Sequence, residues 1–420
     1  MQASPMMLFG VALLVSLSND PSARANAAPV DEESVVAAWN EVAYEIAYAE
    51  DSFFTFKGHR AFSMMHLAMH DALNSIEPRY TRYACTAAQT DADPTAAVTQ
   101  AAYEVLVTQY PDRRSSLDSA LTRWLAPIPA GVRKARAGTL GRACASAILA
   151  LREGDGWDFA GEYAFGDAPG RYQTTGTWDS FMLQPGFRYA RPFALTSPDQ
   201  FRPPPPPEVK SAAYAEAYAE AKAQGGVTST VRTDEQTGYA VWWMEFAEGS
   251  VNRLARELVA EQGIDVWDAA RLFATLNVAL YDGYIAVWDS KYEYDHWRPV
   301  TAIHAAEADG NPATTPAADW EPLRPTPPFQ DYASAHATAC AASLGVLGHE
   351  FGDEFSFSMS PTTAPEGMPT RAFMSFSAAA EECADSRIQL GWHFRYAADE
   401  GLALGRRIMS HITSNYLLPE

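Results

Sequence analysis

Five consecutive prolines, Pro203 to Pro207, divide the 420-residue chain into two stretches of similar texture. Proline holds φ at about −65° and has no N–H, so such a run continues neither a helix nor an inner strand and keeps the backbone extended. On its N-terminal side, residues 37–49, 62–76, 94–109 and 132–151 carry apolar positions at helical spacing and are rich in alanine, a strong helix former. From 154 to 207 the texture turns to Gly, Pro, Trp, Tyr and Phe without a sustained period, which reads as a long connecting segment wrapped on the surface. Helical spacing returns at 211–223, 234–262 and 266–289, and a second proline-rich loop, 311–328, leads into helical stretches beginning near 334, 370 and 398. Strand-type alternation is scarce and there is no internal repeat. The expected fold class is all-α: two helical bundles, 28–153 and 210–420, joined by the extended Pro/Gly/aromatic segment 154–209.

Residues 1–27 are set apart from that fold. The apolar run 6–17 is too short to cross a bilayer, which takes about 20 residues. It is followed by Ala23-Arg24-Ala25 and Ala25-Asn26-Ala27, both of which fit a small-residue cleavage site, although no Lys or Arg precedes the run. The segment is read as an export signal peptide and the protein as secreted or periplasmic. No later stretch offers 18 consecutive apolar residues, so the mature chain is expected to be soluble, with no integral membrane segment. Cys85, Cys144, Cys340 and Cys383 match no zinc spacing; two bridges and buried thiols both stay open, as does the connectivity. With 52 Asp and Glu against 31 Lys and Arg, the formal charge is −21, which argues against a nucleic-acid partner. It does not argue against a small anion, because a cluster of cations inside a cleft outweighs a distant field.

Such a cluster is suggested by three short elements. In Lys291-Tyr-Glu-Tyr-Asp-His-Trp-Arg298-Pro299 the two cations lie seven apart, so a helix would align them on one face, with Glu293 or Asp295 available to separate the like charges. Taken alone, a solvated face explains this spacing. In Pro327-Pro-Phe-Gln-Asp-Tyr-Ala-Ser334-Ala335-His336, Ser334 is a candidate N-cap that leaves the amides of Ala335 and His336 as donors at a positive helix end. His336 there suits proton transfer, although a lone histidine at a helix start is more often a cap or core residue. In Ser386-Arg387-Ile-Gln-Leu-Gly391-Trp392-His393, six residues separate the cation from the histidine, and they converge only where the chain bends, at Gly391.

In this order, Lys-x6-Arg-Pro, Ser-x-His and Ser-Arg-x5-His resemble the signature of the vanadium-dependent haloperoxidases and the related type 2 phosphatidic acid phosphatase superfamily. Trp288, the aromatic and acidic run 292–297, and Phe201-Arg before the prolines are similar to the secreted bacterial chloroperoxidase-like branch. The motif region runs from about 288 to 405. The resemblance implies that Lys291, Arg298 and Arg387 neutralise the oxygens of vanadate or phosphate, with Ser334 and the Ala335 amide adding hydrogen bonds. It implies that His393 binds vanadium axially, or attacks phosphorus in a phosphatase, and that His336 is the acid/base. Orthovanadate is the implied cofactor, with phosphate able to occupy the same site; hydrogen peroxide, halide and small organic acceptors are the implied partners. The implied activity is haloperoxidase, giving hypohalous acid. The alternative is a soluble, metal-independent acid phosphatase working through a phosphohistidine, and a third reading is a non-catalytic helical binding protein.

Ala335 stands where the family has Gly; it keeps the N–H, though its methyl crowds the oxyanion. Phe329, with Trp288, leans toward a chloroperoxidase-like halide pocket. Stacked bundles with large apolar surface allow a homodimer. His59, His66 and His70 share a helical face next to Asp71, a spacing that could ligate a metal, but packing histidines explain it better. His296 is expected to face away from Lys291 and Arg298, with a substrate channel as its other possible place. The oxyanion pocket is expected to be a positive concavity on an otherwise negative protein.

Overall fold

Most of the helices begin where a short polar side chain can take up a free backbone N–H. Ser34, Asp93, Ser211, Asp265, Ser334 and Ser375 each cap the helix that follows, and Thr233 with Gln236 forms a reciprocal capping box. In the computed structural model, which describes residues 34–53, 55–176, 178 and 180–420, thirteen α-helices result. They are α1 Val35–Asp51, α2 Lys57–Asn74, α3 Pro94–Gln109, α4 Arg114–Leu125, α5 Val132–Leu151, α6 Ala212–Gly225, α7 Asp234–Trp242, α8 Ala247–Glu261, α9 Val266–Tyr294, α10 Pro299–His304, α11 Ala335–Phe351, α12 Phe376–Gln389 and α13 Arg395–Asn415. The strands described are one antiparallel ribbon, β1 Phe357–Met359 with β2 Arg371–Phe373. The export signal read at 1–27 lies outside the described residues. Among the described residues no helix is long and apolar enough to cross a membrane.

The fold is all-α, as expected. α2, α3 and α5 pack on one another in the N-terminal half, and α11, α12 and α13 pack together in the C-terminal half. The 29-residue α9 is buried continuously from Leu272 to Lys291 and packs against α2, α11 and α13, so it is shared by both clusters. A helix apolar on every side belongs inside a protein, and this one is the central post.

Two expectations need correction. The segment between α5 and α6 is not merely laid over the surface: Tyr172, Phe187 and Ala190 are fully buried, and Phe187 stacks on Phe56 at 3.6 Å. It is held because the buried Asp282 carboxylate of α9 accepts the N–H groups of Phe193, Ala194 and Leu195 at 2.7–2.9 Å. The carbonyls of Pro203 and Pro204, which have no ladder partner, accept from the hydroxyls of Tyr294 and Tyr332, both at 2.6 Å. The helical stretch read at 234–262 is two helices, broken at 243–246, where Phe246 is extended (φ −64°, ψ 142°) and starts α8. All four cysteines pair: Cys85 with Cys144, and Cys340 with Cys383.

Candidate active site

Lys291 sits in the last turn of α9, and Arg298 is the N-cap of α10, with Pro299 at its first position. The helix ends between them, at Asp295 in the left-handed conformation (φ 50°), so the pair does not share a helical face as the spacing suggests. They meet through the turn instead, over the ring of Phe329: Lys291 Nζ is 5.1 Å and Arg298 Cζ 4.9 Å from its centroid. Lys291 Nζ donates to the carbonyls of Gln330 (2.7 Å) and Asp331 (3.1 Å), leaving one of an ammonium's three N–H groups for a ligand. Arg298 Nε donates to Phe329 O and Nη1 to Trp392 O, both at 2.7 Å, while Nη2 is buried without a partner. Glu293 and Asp295 turn away to Arg188, Arg202 and Arg171. The carboxylate beside the two cations is Asp331, fully buried.

Ser334 is the N-cap of α11, its Oγ accepting the Ala337 N–H at 3.4 Å, so the amides of Ala335 and His336 lie in a first turn with no intrahelical acceptor. α13 crosses close by: the Ser334 N–H donates to Ala397 O at 2.8 Å, and a methyl on Gly401 would come within 2.6 Å of Ser334 O. His336 Nε2 is buried without a partner. Burial, then Arg387, hold this ring well below the ordinary histidine range, so it is neutral and able to accept a proton. Cys340 and Cys383 lie close enough to His336 to suggest a metal cluster, but their sulfurs are bonded to each other.

Arg387 and His393 do converge at the bend expected of Gly391, which has φ 75° and no room for a side chain, since a methyl would lie 2.6 Å from Gly225 O. The His393 N–H then reaches back to Arg387 O at 3.3 Å. Arg387 Nε donates to Ser386 Oγ (2.9 Å) and Nη2 to Trp243 O (2.7 Å), leaving Nη1 buried and unpartnered. The Trp243 carbonyl is free to accept because the helix breaks there. Burial lowers Arg387 to about 9 and Arg298 to about 10, both still cationic at neutral pH. Burial chiefly, then Arg298 and Lys291, hold His393 well below its ordinary range. Its Nε2 lies 3.0 Å from Arg298 Nη1, and its Nδ1 lies 2.8 Å from Asp331 Oδ1 as an ion-pair contact rather than an aligned hydrogen bond. Burial pushes Asp331 up to about 7, against the pull of Arg298 and Lys291.

Ala335, His336, Arg387 and His393 open onto one cavity of about 370 Å³. Trp288 and Phe329 line it too, their rings 5.1 Å apart. The other histidines are occupied elsewhere. His66 Nε2 meets the Asn40 amide at 3.0 Å, His70 Nε2 meets Thr81 O at 3.2 Å, and Asp71 accepts three backbone N–H groups at 2.7 Å, so these residues do not converge on a metal. His59 is the exception, lining the same cavity with its Nε2 2.8 Å from Glu248 Oε1. His296 bonds Tyr396 at 2.6 Å and is not in the cavity lining. Sequence reasoning missed Asp331, which carries no local signal beyond its place three residues before Ser334, and the Trp243 carbonyl, which no side-chain pattern encodes.

Arg298 Nη2, Arg387 Nη1 and His336 Nε2 are buried polar atoms without protein partners, each of which costs free energy unless a ligand satisfies it. Two are guanidinium donors, and beside them stand Lys291 and a helix start; the donor set fits a tetrahedral oxyanion such as vanadate. The helical-bundle fold matches that of solved bacterial vanadium haloperoxidases. Residues 271–416 match the family described as the VCPO second helical-bundle domain. The chain is 28% identical over 252 residues to vanadium chloroperoxidase of Curvularia inaequalis, a match covering 45% of this chain and 41% of that longer protein. A solved bacterial vanadium-dependent iodoperoxidase is 26% identical with a TM-score of 0.79, covering 94% of this chain and 99% of that one. A holo-type bacterial vanadium-dependent chloroperoxidase, 17% identical, shares the fold with a TM-score of 0.68 over 92% of this chain and 95% of its own.

Proposed function

We propose that this protein is a vanadate-dependent haloperoxidase, using hydrogen peroxide to oxidise halide to hypohalous acid for small organic acceptors. The observation that carries this reading is the set of buried, unpartnered atoms on Arg298, Arg387 and His336 gathered around His393. Bound vanadate supplies a Lewis-acidic centre that activates peroxide toward halide. His393 would hold it through Nε2. Lys291, Arg298 and Arg387 offset the oxyanion's charge in a dry site, where charge-assisted contacts are strong. The Ser334 hydroxyl and the Ala335 amide donate to it, and Ala in place of the family's Gly leaves that amide intact. Neutral His336, its Nε2 without a protein partner, would take up the proton that peroxide releases and give it back as the acid. Phosphate, of similar shape and charge, competes for the same donors. Trp288 and Phe329 form the wall that halide and acceptor meet. The two disulfides favour action outside the cytoplasm, in line with the export signal read from the sequence.

The test is bromination of a β-diketone by protein incubated with orthovanadate, peroxide and bromide, repeated with iodide and chloride to rank the halides. Vanadate-dependent turnover that His393→Ala abolishes is the expected result. Absence of turnover with every halide overturns the reading. Aryl phosphate hydrolysis that vanadate inhibits, without halogenation, would make the chain an acid phosphatase at the same residues.

A further inference from the structure

Asp331 has no part in the oxyanion cradle, yet it is a fully buried carboxylate at the back of His393. Its side chain is 2.8 Å from His393 Nδ1, and apart from the Phe394 N–H that also faces it, no polar group of the protein is aligned on its carboxylate oxygens. A buried acid left in this state is costly unless it serves a neighbour. The contacts of the ring identify that service. Arg298 Nη1 lies 3.0 Å from His393 Nε2 and 3.4 Å from Nδ1, over the ring and not in line with either lone pair, so it does not choose between the tautomers. Asp331 is acceptor-only when ionised and sits 2.8 Å from Nδ1, so in the neutral ring it favours the proton on that nitrogen. The lone pair is then left on Nε2.

We propose that Asp331 is a positioning residue: it fixes the Nδ1–H tautomer and the orientation of His393, so that Nε2 offers its lone pair to the cavity. This rests on the reading of His393 as the residue that holds vanadate. A histidine so held binds an acceptor of its lone pair more tightly, the role that carboxylates behind metal-binding histidines play generally. The effect is selective between two anions of like shape. Vanadate takes a bond from Nε2, whereas inorganic phosphate at equilibrium is held by the cations and the helix start alone. Asp331 thus raises affinity for vanadate while its charge, beside Lys291 and Arg298, opposes affinity for both anions.

The experiment compares wild type with Asp331→Asn and Asp331→Ala by two readouts. Calorimetric titration of the full-length protein with orthovanadate and, separately, inorganic phosphate is expected to show vanadate binding weakened by about 10- to 100-fold in both variants, with phosphate binding unchanged or tighter. Nitrogen NMR of histidine-labelled protein without either anion is expected to show His393 as the Nδ1–H tautomer in wild type and not in the variants. Equal weakening of both anions marks a damaged pocket, and equal tightening marks Asp331 as no more than a counter-charge; either overturns the proposal, as does an unchanged tautomer. Asparagine is close in size to aspartate, so thermal melting of that variant near the wild-type temperature separates positioning from misfolding. If wild-type protein binds no vanadate, the haloperoxidase reading fails by itself, and the tautomer measurement still decides the role of Asp331.

Discussion

Arg387 commits only part of its guanidinium to the protein. Nε and Nη2 are committed to Ser386 Oγ and Trp243 O, and Nη1 is buried with nothing to bind. A lysine here has a single ammonium that cannot hold the Trp243 carbonyl and also reach an anion from the same place. Arg387→Lys is therefore expected to weaken phosphate binding by roughly 10- to 150-fold, the worth of a hydrogen bond to a charged group, with little change in melting temperature; unchanged affinity by calorimetry would remove Arg387 from the cradle. At this scale much of the site was legible, because Lys291, Arg298, Ser334, His336, Arg387 and His393 are side chains in recognisable spacings. What was not legible is what those side chains lean on. The Trp243 and Phe329 carbonyls that orient the guanidiniums are backbone atoms, and Asp331 reads as an ordinary loop aspartate until the fold carries residues 392–394 against it.

Among elements, the decisive contact is between α11 and α12, which bring the Ser334–His336 start and Arg387 into one site. Cys340 is one turn beyond His336 and Cys383 one turn before Arg387, so their disulfide fastens the two helices directly beneath the chemistry. Closing loops of 43 and 59 residues, each bridge is worth about 4 kcal/mol by loop entropy. Replacing Cys340 and Cys383 together by alanine is expected to lower the denaturant midpoint and also weaken phosphate binding. The same change at Cys85 and Cys144, which join the 85 region to α5 away from the cavity, is expected to lower the midpoint alone. Equal binding losses in both double variants would show that the bridges act only on global stability. Element existence was readable from alanine-rich periodicity, and α3 and α5 fall where that periodicity puts them. The break between α7 and α8 was not, because Trp243 and Phe246 are compatible with helix locally and the break answers a tertiary demand, a free carbonyl for Arg387 and an aromatic for the cavity wall. The 154–209 segment misled for the related reason that aromatic side chains without period can still be core.

Over the whole molecule, a chain of net charge −21 keeps Arg60, Arg152, Lys291, Arg298, Arg387 and several histidines in its interior, and the histidines set its response to acid. His66 and His70 on α2 and His296 after α9 are buried and neutral, brought down to about 3, 4 and 3 chiefly by burial. His66 shows the cause in its surroundings: it stacks on Phe273 at 5.1 Å, its Nε2 faces the Asn40 amide at 3.0 Å, and Arg256 adds a repelling charge. In the unfolded chain each of these rings titrates near its ordinary value of about 6.5. Between that pH and the folded values the unfolded state binds the extra protons, so stability contributed by the neutral rings is complete above about pH 6.5 and is lost as pH falls toward 4. Each proton bound only on unfolding adds about 1.4 kcal/mol per pH unit to the slope. His66→Gln keeps a polar side chain beside Asn40 and removes one such proton, so its stability should vary less steeply with pH than the wild type between about pH 4.5 and 5.5, by up to that amount per unit. Denaturant unfolding measured at half-unit steps through this range reads the difference. Parallel curves for the two proteins would mean that His66 is already protonated in the folded state, and the acid response would then belong to the carboxylates.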